Sequence, residues 1–329
     1  MRRILDRERA RVDRNRSQFS LLVFTPREPE SSRETLARLV RRLHRRLRFT
    51  DEVGWFDERQ IGVVLPDTPA SGAWKVADDI CLKFSSHELP PLCTVYAYPS
   101  DAMPFDEMSS DHGKPKTKRA THAMEILFAQ AVPRWKRTVD LAGASLGVIL
   151  LMPLLAVVTL AIKLTSPGPV LFRQWRSGLG GKPFLMYKFR TMHVDAEARQ
   201  ASLMALNEQD GPAFKIRKDP RVTPLGRLLR STSIDELPQL WNVLLGDMSL
   251  VGPRPLPCHE SDACMPWQRR RLDVTPGLTC IWQVSGRSSV TFNEWVRMDL
   301  RYLRTRSFLG DMWLLVATVP AVLLRKGAS

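Results

Sequence analysis

Cysteine is scarce in this chain and shows no pairing pattern. There are five among 329 residues, at Cys81, Cys93, Cys258, Cys264 and Cys280, and no two form a C-x-x-C unit. An odd number at such spacings excludes a disulfide-stapled scaffold and reads as reduced thiols in a cytosolic setting. Long apolar runs are scarce too. One uncharged stretch, Leu141–Ile162, and a mean hydropathy of −0.19 exclude a multi-span membrane bundle. A wholly disordered chain is excluded by 44% hydrophobic residues. The six histidines form no cluster, Cys258, His259 and Cys264 lack zinc spacing, and no Ser-His-Asp arrangement or internal repeat is visible. Gly178-Leu179-Gly180-Gly181 invites a phosphate-loop reading, but Gly181-Lys182 is followed by Pro183 where Ser or Thr would stand, so a flexible turn fits better. The opening Met1-Arg2-Arg3-Ile4-Leu5-Asp6 has no apolar core behind it, so no signal peptide is expected.

Acidic residues are the other shortage. Thirty-four Asp and Glu face 49 Lys and Arg, a net charge of +15. Such an excess implies an anionic partner: nucleic acid, an anionic membrane leaflet or a phosphorylated substrate. The charge is clumped at Arg2–Arg16, at Arg41–Arg48 and at Lys114–Arg119. No aromatic-basic recognition module or zinc finger supports nucleic acid, which leaves the leaflet and the phosphate.

The run Leu141–Ile162 is long enough, at ~1.5 Å per residue, to cross a hydrocarbon core of ~30 Å. Two features favour a re-entrant hairpin over a straight span. Both flanks are basic, with Arg134, Lys136 and Arg137 before and Lys163, Arg173 and Arg176 after, and a span must place one flank outside. Pro153 sits mid-run, where it removes a backbone donor and kinks a helix. The membrane segment is set at residues 138–165.

Four segments follow from composition and period. Residues 1–17 read as a basic leader without apolar period. Residues 18–105 read as an α/β domain: strands at Phe19–Phe24, two within Asp51–Leu65 and one at Leu92–Tyr98, and helices at 31–48 and 69–84. The order β-α-β-β-α-β is ferredoxin-like. Residues 106–133 read as a polar linker with a helix near 120–131, and residues 134–329 as a second, mostly helical domain. The fold class is therefore α/β (α+β). Within the second domain, Val170–Gln174 and Phe184–Met192 read as a hairpin, whose period of two puts Lys188 and Arg190 on one face. That face is either an anion site or merely solvated. Residues 308–324 read as an amphipathic or core helix with Pro320 as a kink.

The most informative stretch is Arg230-Ser231-Thr232-Ser233-Ile234-Asp235-Glu236-Leu237-Pro238-Gln239. Pro238 places a helix start near Asp235, because only a first turn tolerates the missing N–H. A helix N-terminus favours negative charge, so Asp235 is expected to stay ionised. Neighbours on a helix point about 100° apart, so Asp235 and Glu236 are expected on different faces and in different roles, nucleophile or metal ligand for one and acid–base or positioning for the other. Simple capping is the plainer alternative. Arg221 and Arg230 offer guanidinium forks for phosphate, and Pro253-Arg254-Pro255 holds an arginine in a rigid turn.

Residues 134–329 resemble the bacterial sugar transferases, the small monotopic polyprenyl-phosphate phosphoglycosyl transferases. The resemblance is carried by Lys136-Arg137-Thr138-Val139-Asp140, the proline-interrupted apolar segment, Tyr187-Lys188-Phe189-Arg190-Thr191-Met192 and the Asp235-Glu236 stretch. It continues through Asn242-Val243-Leu244-Leu245-Gly246-Asp247-Met248-Ser249, Val251-Gly252-Pro253-Arg254-Pro255, Pro276-Gly277-Leu278-Thr279 and Trp282-Gln283-Val284-Ser285-Gly286-Arg287. It implies transfer of a sugar-1-phosphate from a UDP-sugar to undecaprenyl phosphate, with release of UMP, at the cytoplasmic face of the bacterial inner membrane. Asp235 is implied as nucleophile and Glu236 as its assistant, both near Mg²⁺ as metal-site residues. Lys188, Arg190, Arg221, Arg230 and Arg254 are implied to bind phosphate, with Pro253, Pro255, Gln283 and Arg287 lining the pocket and Pro153 as the membrane kink. Sugar specificity is expected in 195–215 and around 256–270.

The first ~110 residues more weakly resemble a degenerate diguanylate-cyclase-like (GGDEF-like) domain. Asp57-Glu58-Arg59-Gln60-Ile61 stands where that family has its signature, and Val23-Phe24-Thr25-Pro26 lacks the metal-binding aspartate. Cyclase activity is not expected; dimerisation to a homodimer, regulation or partner binding stays open. The alternatives to sugar-1-phosphate transfer are a membrane-tethered scaffold with an inactive second half, a nucleic-acid binder, and a glycosyl transferase that moves the sugar without its phosphate and releases UDP rather than UMP.

Overall fold

A computed structural model describes residues 1–27, 32–82, 84, 89–100, 120–216, 218–285 and 290–323. The chain divides into two compact units, Met1–Leu127 and Phe128–Ser329. Helix and strand are mixed in both, as the α/β reading requires.

In the first unit the strands are β1 (Phe19–Thr25), β2 (Glu52–Asp57), β3 (Gln60–Pro66), β4 (Leu92–Tyr98) and β5 (Thr121–Ala123). They form one sheet in the order β2-β3-β1-β4-β5, antiparallel except for β4 with β5. Helices Ser32–Arg46 and Ala70–Cys81 pack on one face through Leu36, Leu39, Leu43, Ala73, Ala77 and Ile80, against Leu22 and Phe24 of β1. The signature-like Asp57-Glu58-Arg59 falls at the turn between β2 and β3. The basic leader differs from expectation. Arg2–Asn15 is a helix that buries Leu5 and Val12. Arg9 lies over the Tyr98 ring, and Tyr98 Oη donates to Asp13 at 2.8 Å. Two apolar residues seven apart are one stripe two turns long; sparse spacing among arginines hid it. The helix expected near 120–131 forms only as the short Glu125–Phe128, and the start of that stretch is β5 instead. It is three residues long, too short to show alternation. Lys114–Arg119 lies outside the described residues.

The second unit is organised on the helix Arg134–Thr165, which runs through Pro153 as one element. By length and composition it is long and apolar enough to cross a membrane. A stripe along it, Ala144, Val148, Leu151, Leu154, Val158 and Ile162, packs on the rest of the unit. The spacing of three and four is that of one helix face. The opposite face, including Ile149, Leu150, Val157 and Leu160, is exposed.

Its basic entry has another use than expected. Lys136 is 3% exposed and pairs with Asp311 at 2.5 Å, and Tyr302 Oη donates to the same carboxylate at 2.9 Å. Arg137 donates to the carbonyls of Val243 and Leu244 at 2.6 and 2.7 Å, capping the C-terminus of helix Gln239–Leu245, where cations are favoured. Asp140 accepts from Ser249 Oγ and from the Leu250 amide, both at 2.9 Å. These charges are therefore interior ties rather than headgroup contacts.

Strands β6 (Leu171–Ser177) and β7 (Pro183–Phe189) form the expected hairpin, turning at Gly178–Gly181. Strands β8 (Ser249–Val251) and β9 (Gly277–Thr279) pair in parallel. They meet closely at Gly252 and Gly277, where a Cβ on Gly277 would lie 2.0 Å from the Gly252 nitrogen. That approach fixes the following Pro253-Arg254-Pro255 turn, whose Pro253 carbonyl accepts from the Gly277 amide at 2.9 Å.

Candidate active site

Three pieces of backbone converge on one polar cleft of about 340 Å³. Strand β7 supplies Lys188, the 253–255 turn supplies Arg254, and a short 3-10 turn at Ile234–Glu236 supplies both acids. Helix Pro224–Ser231 leads in. Thr223 caps it by accepting from the Gly226 amide at 2.9 Å, and Pro224 suits its first turn. Arg230 stands in its last turn and donates from Nε to Thr191 Oγ1 at 2.9 Å. Ser233 then takes a left-handed conformation, φ 56°, at a cost of about 1 kcal/mol for a non-glycine residue. The chain reverses there and presents the carboxylates.

The acidic pair does not sit in the first turn of a longer helix. Pro238 is the cap of Gln239–Leu245, and Asp235 and Glu236 precede it in a separate turn that lets both line the same cleft. Their surroundings still differ. Glu236 Oε1 accepts from Lys188 Nζ at 2.8 Å and from Arg254 Nη2, and its Oε2 accepts from Arg254 Nη1 at 3.1 Å. Burial alone would raise its carboxyl, but Arg254 and then Lys188 outweigh that and hold it well below the usual range. The Asp235 carboxylate makes no hydrogen bond among the described residues, although it is only 7% exposed. Burial, and secondly the Glu236 charge, pushes it up to about 6. The expectation that a helix N-terminus holds Asp235 firmly ionised is corrected: no regular helix begins there, and burial prevails over the nearby cations.

The predicted cations separate into two sets. Lys188, Arg230 and Arg254 line the cleft. Burial lowers the Lys188 ammonium and the Arg230 guanidinium, against the opposing pull of Glu236 and Asp235 respectively. Arg221 is occupied elsewhere. Its Nε and Nη2 grip Asp219 at 2.9 and 2.7 Å, and its Nη1 donates to the Ala196 carbonyl at 3.1 Å. Arg190 donates from Nη2 to the carbonyl and Oγ of Ser166 at 2.9 and 2.8 Å, tying β7 to the end of the apolar helix. Both line a larger neighbouring cavity of about 890 Å³ that also reaches Asp235. Pro255 and Gln283 line the polar cleft, whereas Pro253 only shapes the turn; Arg287 lies outside the described residues.

Sequence reasoning missed Arg176 and Glu260 as site residues, and both border the two cavities. Arg176 donates to the Pro255 carbonyl at 2.8 Å and to Gln174 Oε1 at 2.6 Å, and burial lowers it to about 10. Its alternation with Gln174 on β6 was the available signal. The two segments expected to set specificity do meet, through Ala213 and Phe214 on one side and Leu256, Pro257 and Glu260 on the other.

The acidic groups do not fit a protein-held magnesium ion. Both Glu236 oxygens face cations, Asp219 is gripped by Arg221, and the described residues hold no cluster of three acidic, His or Cys side chains suited to a metal. What the arrangement offers is one poorly solvated carboxylate, facing a cavity among fixed cations. That is the setting of a nucleophile toward an anionic phosphorus centre.

The model of the family described as "Bacterial sugar transferase" matches residues 131–325. The chain is 44% identical over 208 residues to the UDP-glucose:undecaprenyl-phosphate glucose-1-phosphate transferase of Caulobacter vibrioides, covering 60% of this chain and 73% of that one. It is 43% identical over 194 residues to the galactosyl transferase CpsE of Streptococcus agalactiae, covering 59% of this chain and 43% of that one. The chain thus spans less than half of the CpsE length. A GGEEF domain of a diguanylate cyclase from Vibrio cholerae matches 29% of this chain and 72% of its own, at 16% identity and a TM-score of 0.27, too little to assign anything. The family match covers more than half of the sequence and includes every part of the cleft: the chain belongs to the bacterial sugar transferase family.

Proposed function

We propose that this chain transfers a sugar-1-phosphate from a UDP-sugar to undecaprenyl phosphate, the reaction that the Caulobacter relative's name describes for glucose. The observation that carries the reading is the buried Asp235 carboxylate, without a hydrogen bond among the described residues, beside Lys188, Arg230 and Arg254. In the first step an Asp235 oxygen attacks the sugar-proximal phosphorus. A P–O bond forms, the bond to the α-phosphate oxygen breaks, and UMP leaves with that electron pair. In the second step an oxygen of the lipid phosphate attacks the same phosphorus, the Asp235–phosphorus bond breaks, and the carboxylate is restored with the diphosphate lipid as product. Lys188, Arg230 and Arg254 offset the approach of like charges. Glu236 holds Lys188 and Arg254 in place. Magnesium belongs in this reading with the diphosphate of the donor, as a metal–nucleotide substrate, and no step needs a protein-held ion.

The long helix supports a monotopic seat on the cytoplasmic leaflet, as a re-entrant or surface-lying segment. Ala144 near its start and Val158 and Ile162 near its end pack on the same unit, while its outer face is apolar and exposed. A straight span would carry its two ends to opposite sides of the bilayer.

The test is nucleotide release in detergent with Mg²⁺, undecaprenyl phosphate and a panel of UDP-sugars. Lipid-dependent UMP from one donor is expected. Release of UDP instead would identify a glycosyl transferase, and no release from any donor would favour the scaffold reading.

A further inference from the structure

Glu260 is an acid in the wrong place for phosphate binding alone. It lines both the polar cleft and the larger cavity, which meet at Asp235, and it is only 8% exposed. Two other acids near the site are matched: Glu236 faces Lys188 and Arg254, and Asp219 is gripped by Arg221. Glu260 has no ion pair among the described residues. The one hydrogen bond to its side chain there is accepted by Oε1 from the Phe214 amide, at 3.3 Å. Burial raises its carboxyl above the usual range, with Arg176 opposing. A buried carboxylate without a direct cation is costly, and beside an anion site it also repels the substrate's phosphates. A positive contribution from some other part of the substrate must offset both.

We propose that Glu260 is a specificity-determining residue that accepts hydrogen bonds from hydroxyls of the donor's hexose ring. The inference rests on the transferase reading and adds the sugar subsite to it. A vicinal diol offers two O–H donors, and a carboxylate offers acceptors to match. The hexose is bonded to the phosphorus that Asp235 attacks, so it must lie in the space bordering Asp235, where Glu260 forms part of the wall. The loop that orients Glu260 is itself locked. Asn207 Oδ1 accepts from the amides of Gln209 and Lys215 at 3.2 and 2.8 Å, and its Nδ2 donates to the Ala213 carbonyl at 3.2 Å. Phe214 follows, its ring centroid 5.2 Å from the Arg221 guanidinium carbon. The clasp fixes the Phe214 amide, and the amide fixes one oxygen of Glu260. The second oxygen is left for the sugar.

The experiment compares wild type and Glu260→Gln on the preferred UDP-hexose and on its singly deoxygenated analogues, reading kcat/KM for UMP release. Glu260→Gln keeps the shape and the Phe214 contact while removing the charge. The expected result is a fall of about tenfold or more on the parent donor, as a charged hydrogen bond is worth. Wild type should show a similar fall on the two analogues that each lack one hydroxyl of a vicinal pair, and the variant should be nearly indifferent to those same hydroxyls. Equal discrimination among the analogues by both proteins overturns the proposal. If the variant does not fold, the wild-type series alone decides: loss confined to one vicinal pair supports it, and even tolerance of all deletions refutes it. Absence of UMP from wild type with every donor would instead refute the transferase reading, and this inference with it.

Discussion

Asp235 and Glu236 are neighbours in sequence with opposite titration behaviour, and that difference is measurable. Asp235 is raised to about 6 and must be ionised to attack phosphorus. UMP release in the absence of lipid should therefore rise with pH and level off above about 6, falling about tenfold per unit below it; a rate flat from pH 5 to 8 would contradict the assignment. The cations separate in the same way. Arg221→Ala strips a gripped carboxylate of its partner and should cost about 3 kcal/mol of stability, seen as a lowered denaturation midpoint. Arg254→Lys should leave stability nearly unchanged and lower kcat/KM, because one ammonium cannot serve both Glu236 oxygens. The sequence made all five cations look alike. Arg221 could be told apart only by Asp219 two positions earlier, and Arg190 only by the fold, since its partner Ser166 lies in another element. Glu260 was unreadable because its meaning depends on a cavity wall assembled from distant segments.

At the scale of elements, periodicity served well where a whole face is buried. The helix Ser32–Arg46 and strands β1 to β4 fall close to where apolar spacing put them, because each rests on one continuous core. It failed at short or sparse elements: the three-residue β5, the arginine-rich first helix, and the 3-10 turn that carries the acids. The apolar helix was legible as an element, but its basic entry was not. Lys136 is an interior partner of Asp311. Lys136→Ala should destabilise the second unit by about 3–5 kcal/mol, whereas the double change Lys136→Met with Asp311→Leu should be much milder. Thermal unfolding in detergent checks this, and equal losses in the two variants would show that the pair is not coupled.

For the whole molecule, a charge of +15 and an exposed apolar helix face would make separable contributions to the proposed membrane seating. The account predicts that vesicle-bound protein resists release by 1 M salt, where the Debye length is only about 3 Å, and is released by detergent. Release by salt alone would reduce the helix face to an incidental feature. Because the acidic groups do not fit a resident ion, Mg²⁺ alone should leave the melting temperature unchanged, and Mg²⁺ with the UDP-sugar should raise it. The central claim is that Asp235 carries the phosphosugar. The most direct test is intact-protein mass spectrometry after mixing with the preferred UDP-sugar and Mg²⁺ without lipid. The account predicts a sugar-phosphate adduct on Asp235, formed with an equal amount of UMP, discharged by added undecaprenyl phosphate and absent in Asp235→Asn. UMP released at the wild-type rate by Asp235→Asn, or lipid product formed with no adduct, would contradict it.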